Sequence, residues 1–330
     1  MVTDIGFRSA PERIDGERQR RLDLATRALK YHHSFLDECL RGIRPHDLVL
    51  IGAETGAGKT DIATAIAKAN ARDGRRVHYF ALEAEPDEIE RRIKHALLFG
   101  LAVKAQDARA FDLTFVDWMH GRCEDIVAPY EADADRLMRE RYGTLKTFYR
   151  GESFGHADVQ RLFKAVRDDT DLIVLDHLHY VDLADDESEH RGFGRTVKMI
   201  RTVALELGKP VILIAHLRKR DLRAKQIVPH IDDFHGSSEL AKNVTHAIML
   251  APARDVEAKW YQAPTFVYVP KDRHAGATGL VALCTYDRRS RIYTPTYELG
   301  RAVDSGTKFE PLKLAEYPRW ARSGRPTEAR

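Results

Sequence analysis

No apolar run in this sequence approaches the roughly 20 residues needed to span a bilayer. The opening stretch, MVTDIGFRSAPERIDGERQRR, lacks the apolar centre of a secretory signal. Cysteine is scarce. Cys39, Cys123 and Cys284 lie far apart and match no metal-binding spacing, so free thiols are expected rather than a disulfide framework. An excess of one charge sign is also missing. With a formal net charge of +3, nucleic acid must be met by a local patch rather than a uniformly basic surface. These absences predict a soluble, cytoplasmic protein with no membrane partner. The 330 residues, 43% apolar and 31% charged, suffice for one large or two ordinary globular domains.

Between Asp47 and Tyr293, short apolar runs alternate with helical stretches. The strands expected are Leu48–Ile51, Val77–Leu82, Leu145–Tyr149, Leu172–Leu175, Val211–Ala215, Ala247–Leu250, Phe266–Val269 and Leu280–Tyr286. The early ones are continuous aliphatic runs, as in strands buried on both faces of a parallel sheet. Right-handed βαβ units follow, and the closely spaced late strands predict hairpins extending one edge. The fold class expected is α/β, with a central, mostly parallel twisted sheet flanked by helices. Residues 1–16 read as irregular, and Glu17–Tyr31 as a helix with Leu22, Ala25 and Leu29 on one face. Residues 101–141 read as a helical insertion, and the polar, basic segment 300–330 as a mobile tail.

The stretch AETGAGKTD, from Ala53 through Glu54, Thr55, Gly56, Ala57, Gly58, Lys59 and Thr60 to Asp61, follows a strand and opens a helix. Its spacing is that of a phosphate-binding loop with Ala53 in place of the usual first glycine. Gly56 and Gly58 let the backbone curl so that successive N–H groups face one anion, and the helix adds its positive end. Lys59 is expected on the β- and γ-phosphates and the Thr60 hydroxyl on Mg²⁺. Four aliphatics end in Asp176, the acid expected to orient that metal. Residue 177 is His rather than Glu, so the base that activates water must come from elsewhere. Glu83, just after the second strand, is the candidate, with Glu85 as runner-up.

The order of phosphate loop, F-x-L-E and L-I-V-L-D-x-L resembles the RecA-like P-loop ATPase motor of DnaB-type replicative helicases. The likeness begins at Phe35-Leu-Asp-Glu-Cys-Leu-Arg-Gly and ends near Tyr293. It implies a motor over residues 35–299, preceded by an extension (1–34) whose helix takes the linker role. That extension is shorter than the family's helical N-terminal domain, so primase recruitment is not carried over. By the same resemblance, His216 ends a strand that senses the γ-phosphate. Lys271 and Arg273, in K-x-R-x-x-G, reach the nucleotide of an adjacent subunit. The implied assembly is a hexamer, with ATP and Mg²⁺ at subunit interfaces and single-stranded DNA in the channel. Arg218, Lys219, Arg220 and Lys242 are the expected DNA contacts, from a basic run and a small, polar loop. Other replication or mobile-element proteins are expected partners. Two alternatives stay open: a DNA-stimulated ATPase that loads, remodels or regulates without unwinding, and a P-loop small-molecule kinase.

Overall fold

The computed structural model describes residues 9–53, 57–151, 153–183, 189–217, 226–229, 233, 242–274 and 278–324. Two short helices come first, α1 (Ala10–Ile14) and α2 (Glu17–Arg27). Then come α3 (Ser34–Leu40), β1 (Leu48–Ala53), α4 (Lys59–Arg72), β2 (Val77–Ala81) and α5 (Glu88–Lys104). Three helices fill the next stretch: α6 (Phe115–Met119), α7 (Glu124–Val127) and α8 (Glu131–Tyr142). The parallel strands resume with β3 (Leu145–Tyr149), α9 (His156–Ala165), β4 (Leu172–Asp176), α10 (Glu189–Leu207) and β5 (Val211–His216). The chain continues through β6 (His246–Pro252), β7 (Gln262–Asp272), β8 (Val281–Asp287), β9 (Ile292–Tyr293), β10 (Glu298–Val303) and β11 (Lys308–Pro311).

The strands form one sheet, ordered β11-β10-β8-β7-β6-β1-β5-β4-β2-β3, with β9 on β8. The run from β6 to β3 is parallel, and from β6 to β11 each pair is antiparallel. Every residue of β1, β2 and β4 is buried, because helices cover both faces. Alternation along β1 divides the core. Val49, Ile51 and Ala53 pack with α3 and α4, while Leu48 and Leu50 pack on the face covered by α9 and α10. Small residues along α4, Ala63, Ala67 and Ala71 among them, are buried with it on the first face.

Three expectations need correction. Residues 1–16 are not all irregular: Ser9 and Glu12 form a capping box that starts α1. The helix from Glu17 ends at Arg27 rather than Tyr31, and Leu29 instead forms an isolated bridge to Ile43. Leu22 is 51% exposed and lies outside the core. The segment from 300 onward is not a loose tail as far as residue 324. Strands β10 and β11 extend the sheet, Phe309 stacks on Phe266, and Trp320 lies 6.1 Å from Phe35. Glu38 further accepts hydrogen bonds from the Ser323 backbone N–H and hydroxyl and from Tyr297. Few but well-placed aromatic anchors outweigh the polar composition there.

Candidate active site

The sheet register brings the predicted groups together at one end. Ala53, which ends β1, pairs with His216, which ends β5; Ala81, which ends β2, pairs with Asp176, which ends β4. Four adjacent parallel strands therefore deliver the phosphate loop, Glu83, Asp176 and His216 to the carboxyl edge, where α/β folds bind ligands. Glu54, Thr55 and Gly56 lie outside the described residues, as do Arg218, Lys219 and Arg220. Gly58 caps α4 at φ +82°, a left-handed conformation that an L side chain rarely adopts.

Asp176 is buried, and its Oδ2 accepts a hydrogen bond from the Tyr79 hydroxyl at 2.7 Å. Burial pushes its carboxyl up, while the Tyr79 and Thr60 hydroxyls pull it back. The other oxygen, Oδ1, is buried with no hydrogen-bond donor among the described residues. An orphaned carboxylate oxygen beside the Thr60 hydroxyl is the oxygen donor set that suits Mg²⁺. The buried Lys59 completes the group. Burial lowers its ammonium, against the pull of Glu83 and Asp176.

Glu83 is partly exposed, and its Oε2 lies 2.9 Å from His177 Nε2. The His177 ring foremost, helped by His216 and Lys59, holds the Glu83 carboxyl below its ordinary range despite partial burial. The Glu83 carboxylate is thus favoured in its ionised form, as the expected base requires. His177 and His216 stand edge to face, ring centroids 4.1 Å apart. His179 accepts a 3.4 Å hydrogen bond at Nδ1 from the His216 backbone N–H and stacks on Phe193. It therefore ties the end of β5 to the turn after β4. Sequence reasoning left His179 without an account and missed Tyr79 and His177.

Asp61, expected in the nucleotide site, lines a cavity beside the loop and holds two arginines there. Its Oδ1 is shared by Arg92 at 3.0 Å and Arg291 at 2.7 Å. Both guanidiniums sit over Phe115, Arg291 at 4.3 Å from the ring centre. They wall a cavity of about 400 Å³ that begins at Ala57 and Gly58 and is lined by Phe115, Trp260, Tyr286 and Arg289. The apolar and aromatic lining beside a phosphate loop has the size and chemistry to take a nucleoside. Sequence reading missed this cavity. Its only trace was the run Arg288-Arg289-Ser290-Arg291 after β8.

Lys271 and Arg273 are not brought to this site. Lys271 pairs with Ala247, which is level with Leu50, and the Arg273 backbone N–H bonds to Thr245 O, whose own N–H bonds to Leu48 O. Arg273 thus lies level with the start of β1, about 16 Å along the strand direction from Ala53. Arg201 of α10 joins them. Burial, then Arg273 and Arg201, push the Lys271 ammonium down, and burial then Arg273 lower Arg201. Three cations thus lie close together at this edge, with the Asp47 carboxylate acting on Arg201. Lys242 is exposed just ahead of β6, at this same sheet end.

The family described as the DnaB-like helicase C-terminal domain matches residues 28–293. Among solved structures, one described as an ATPase domain is similar over 87% of this chain and 99% of its own, with TM-score 0.66 and 17% identity. A DnaB-like replicative helicase, described with its interactions with primase, matches 87% of this chain and 68% of its own at TM-score 0.66 and 16% identity. A KaiC-like protein from the archaeon Pyrococcus horikoshii matches 78% of this chain and 94% of its own at TM-score 0.51 and 16% identity. No curated protein matches the chain.

Proposed function

The chain belongs to the DnaB-like helicase C-terminal domain family and is an ATP-dependent helicase motor of that type, and from this premise we propose how its residues divide the work. Lys59 and the loop amides bind the phosphates. Thr60 and Asp176 would hold Mg²⁺, which would supply positive charge to the phosphates. Glu83 accepts a proton from the attacking water, and His216, against its neighbour His177, reports the state of the γ-phosphate. Arg92 and Arg291, fixed by Asp61, border the seat of the base.

Lys271 and Arg273 serve the nucleotide of an adjacent subunit. The observation that carries this is their place at the opposite edge of the sheet from their own phosphate loop. A guanidinium so placed stabilises phosphoryl charge only across a head-to-tail interface, which closes into a ring when the rotation permits. The assembly proposed is a hexamer around single-stranded DNA, with Lys242 among the contacts and the exposed Leu22 on α2 docking on the next subunit. Arg218, Lys219 and Arg220 belong to the same proposal on sequence grounds.

The test is ATP turnover against protein concentration, with and without single-stranded DNA. Wild type should gain specific activity steeply with concentration and with DNA, and Arg273→Ala should bind ATP without hydrolysing it. Mixing Arg273→Ala with Lys59→Ala should restore activity, because about a quarter of randomly formed interfaces then pair an intact loop with an intact finger. Wild-type turnover by Arg273→Ala would sink the shared site.

A further inference from the structure

We propose that Asp47, His246 and His274 form a binding site for a divalent transition-metal ion of the zinc class, at the sheet edge that carries Lys271 and Arg273. The three come from separate parts of the chain: the turn before β1, the first residue of β6, and the segment just after β7. The sheet register gathers them, since Val49 pairs with His246 and His246 with Asp272. One donor atom from each lies within 4.8 Å of the others. His274 Nε2 is 2.9 Å from Asp47 Oδ1, and His246 Nδ1 is 3.9 Å from Asp47 Oδ2. A tetrahedral ion with bonds of about 2.0–2.2 Å sets its donors about 3.4 Å apart. The two separations reach different oxygens of Asp47, and the one donor atom per residue that would ligate lies within 4.8 Å of the other two, so shifts of about an ångström would bring them to that spacing.

The surroundings support a metal more than a plain polar cluster. His246 is wholly buried, and its Nε2 has no well-formed hydrogen bond, although it lies 3.3 Å from Asp272 Oδ1. An imidazole that ligates through one nitrogen commonly gives the other N–H to a carboxylate, and Asp272 stands in that outer position. Its Oδ1 also accepts from the His274 backbone N–H at 2.9 Å, and Asp47 Oδ2 accepts from the Arg44 N–H at 2.7 Å. The Thr245 hydroxyl is 3.3 Å from His246 Nδ1, but it has a second acceptor in Leu48 O at 3.1 Å. That second acceptor lets the hydroxyl leave Nδ1 open. Two imidazoles and one carboxylate select zinc, cobalt or nickel over magnesium or calcium, which prefer all-oxygen sites. The ligand His274 directly follows Arg273. An ion there would pin residues 271–274 against the start of β1 and fix the aim of the residues offered to the next subunit. This consequence rests on the proposed shared site, but the metal site itself does not.

The experiment is calorimetric titration of the chelator-treated full chain with zinc chloride, in the absence of ATP and DNA, with cobalt(II) absorption as a second readout. One tight site per chain is expected in wild type. His274→Ala and Asp47→Asn should each weaken it at least tenfold. His216→Ala, which dismantles the Glu83–His177–His216 cluster at the other sheet edge, should leave it unchanged. If Asp47→Asn does not fold, the half-buried His274 carries the test through His274→Gln and the cobalt spectrum. Absence of zinc binding in wild type, or loss that follows His216→Ala and spares His274→Ala, overturns the proposal. Because no nucleotide is present, failure of the shared-site reading would appear separately, in the turnover of Arg273→Ala.

Discussion

Removing the Tyr79 hydroxyl, by Tyr79→Phe, isolates a single buried interaction at Asp176, the acid proposed to orient the metal. The substitution keeps the ring that packs in the core and deletes only the donor 2.7 Å from Asp176 Oδ2. Burial foremost, and then Asp176, raise the Tyr79 phenol far above its usual range, so the hydroxyl is a donor at every accessible pH. A hydrogen bond to a charged group contributes about 1.5–3 kcal/mol, and losing it should destabilise the nucleotide-free chain by that amount while Asp176 is ionised. The same loss should raise the Asp176 pKa further, because one of the two hydroxyls that pull it down is gone. The pH dependence has a definite sign. Asp176 is raised in the folded chain, so the stability linked to its protonation is complete below the unfolded value of about 3.9 and is lost as pH rises through the folded value. The Tyr79 hydroxyl offsets part of that loss. The gap between wild type and Tyr79→Phe should therefore be widest above the folded pKa and close as the carboxyl protonates. Urea unfolding across a pH series measures it. A variant as stable as wild type in mildly alkaline buffer, or a gap that widens on acidification, would refute the reasoning.

Five other outcomes follow from the same geometry. Glu83→Gln should lower turnover by about 10²–10⁴ with nucleotide binding retained; because His177 foremost holds the Glu83 carboxyl low, His177→Ala should move the acid limb of the pH–rate profile upward. Asp61→Asn releases Arg92 and Arg291, so KM for ATP should rise roughly tenfold, about 1.4 kcal/mol, with a smaller change in kcat. Leu50→Ala empties a fully buried position on β1 and should cost about 2–5 kcal/mol in thermal or urea unfolding. Gly300→Ala drives a methyl into the Phe309 ring and to 2.5 Å from Glu310 O; limited proteolysis should then cut β10–β11 before the rest of the sheet, with a loss of about 1–3 kcal/mol.

How far the sequence could be read depends on whether one segment carries its own signal. The runs Leu48–Ile51, Leu172–Leu175 and Val211–Ala215 are buried on both faces, so continuous aliphatic composition marked them, and structure extends each by only one or two residues. Strand β11 reads Lys-Phe-Glu-Pro and is exposed apart from Phe309, so its composition is that of a loop. One aromatic contact with Phe266 is what makes it a strand, and that partner lies in β7. Helix α2 shows the opposite error. Its periodicity continued past Arg27, but Leu29 bonds to Ile43, a tertiary contact that overrides the helical pattern.

The site divides along the same line. Lys59, Thr60, Asp176 and Glu83 were legible because each chemical role is tied to a strand end, and strand ends were legible. His177 was read only as the absence of a glutamate beside Asp176. Its contact with Glu83 depends on β2 and β4 being neighbours, which the order of segments along the chain does not reveal. The cavity is farther out of reach. It joins Phe115, Trp260 and Arg291, which no local pattern connects, and it gives the segment 101–141 a place in the wall that its composition did not suggest. The edge carrying Lys271 and Arg273 is the sharpest case. A motif named both residues, yet their distance from their own phosphate loop follows only from β7 running antiparallel to β6. Had β7 been parallel, the same two residues would have been carried to the sheet edge where their own phosphate loop lies.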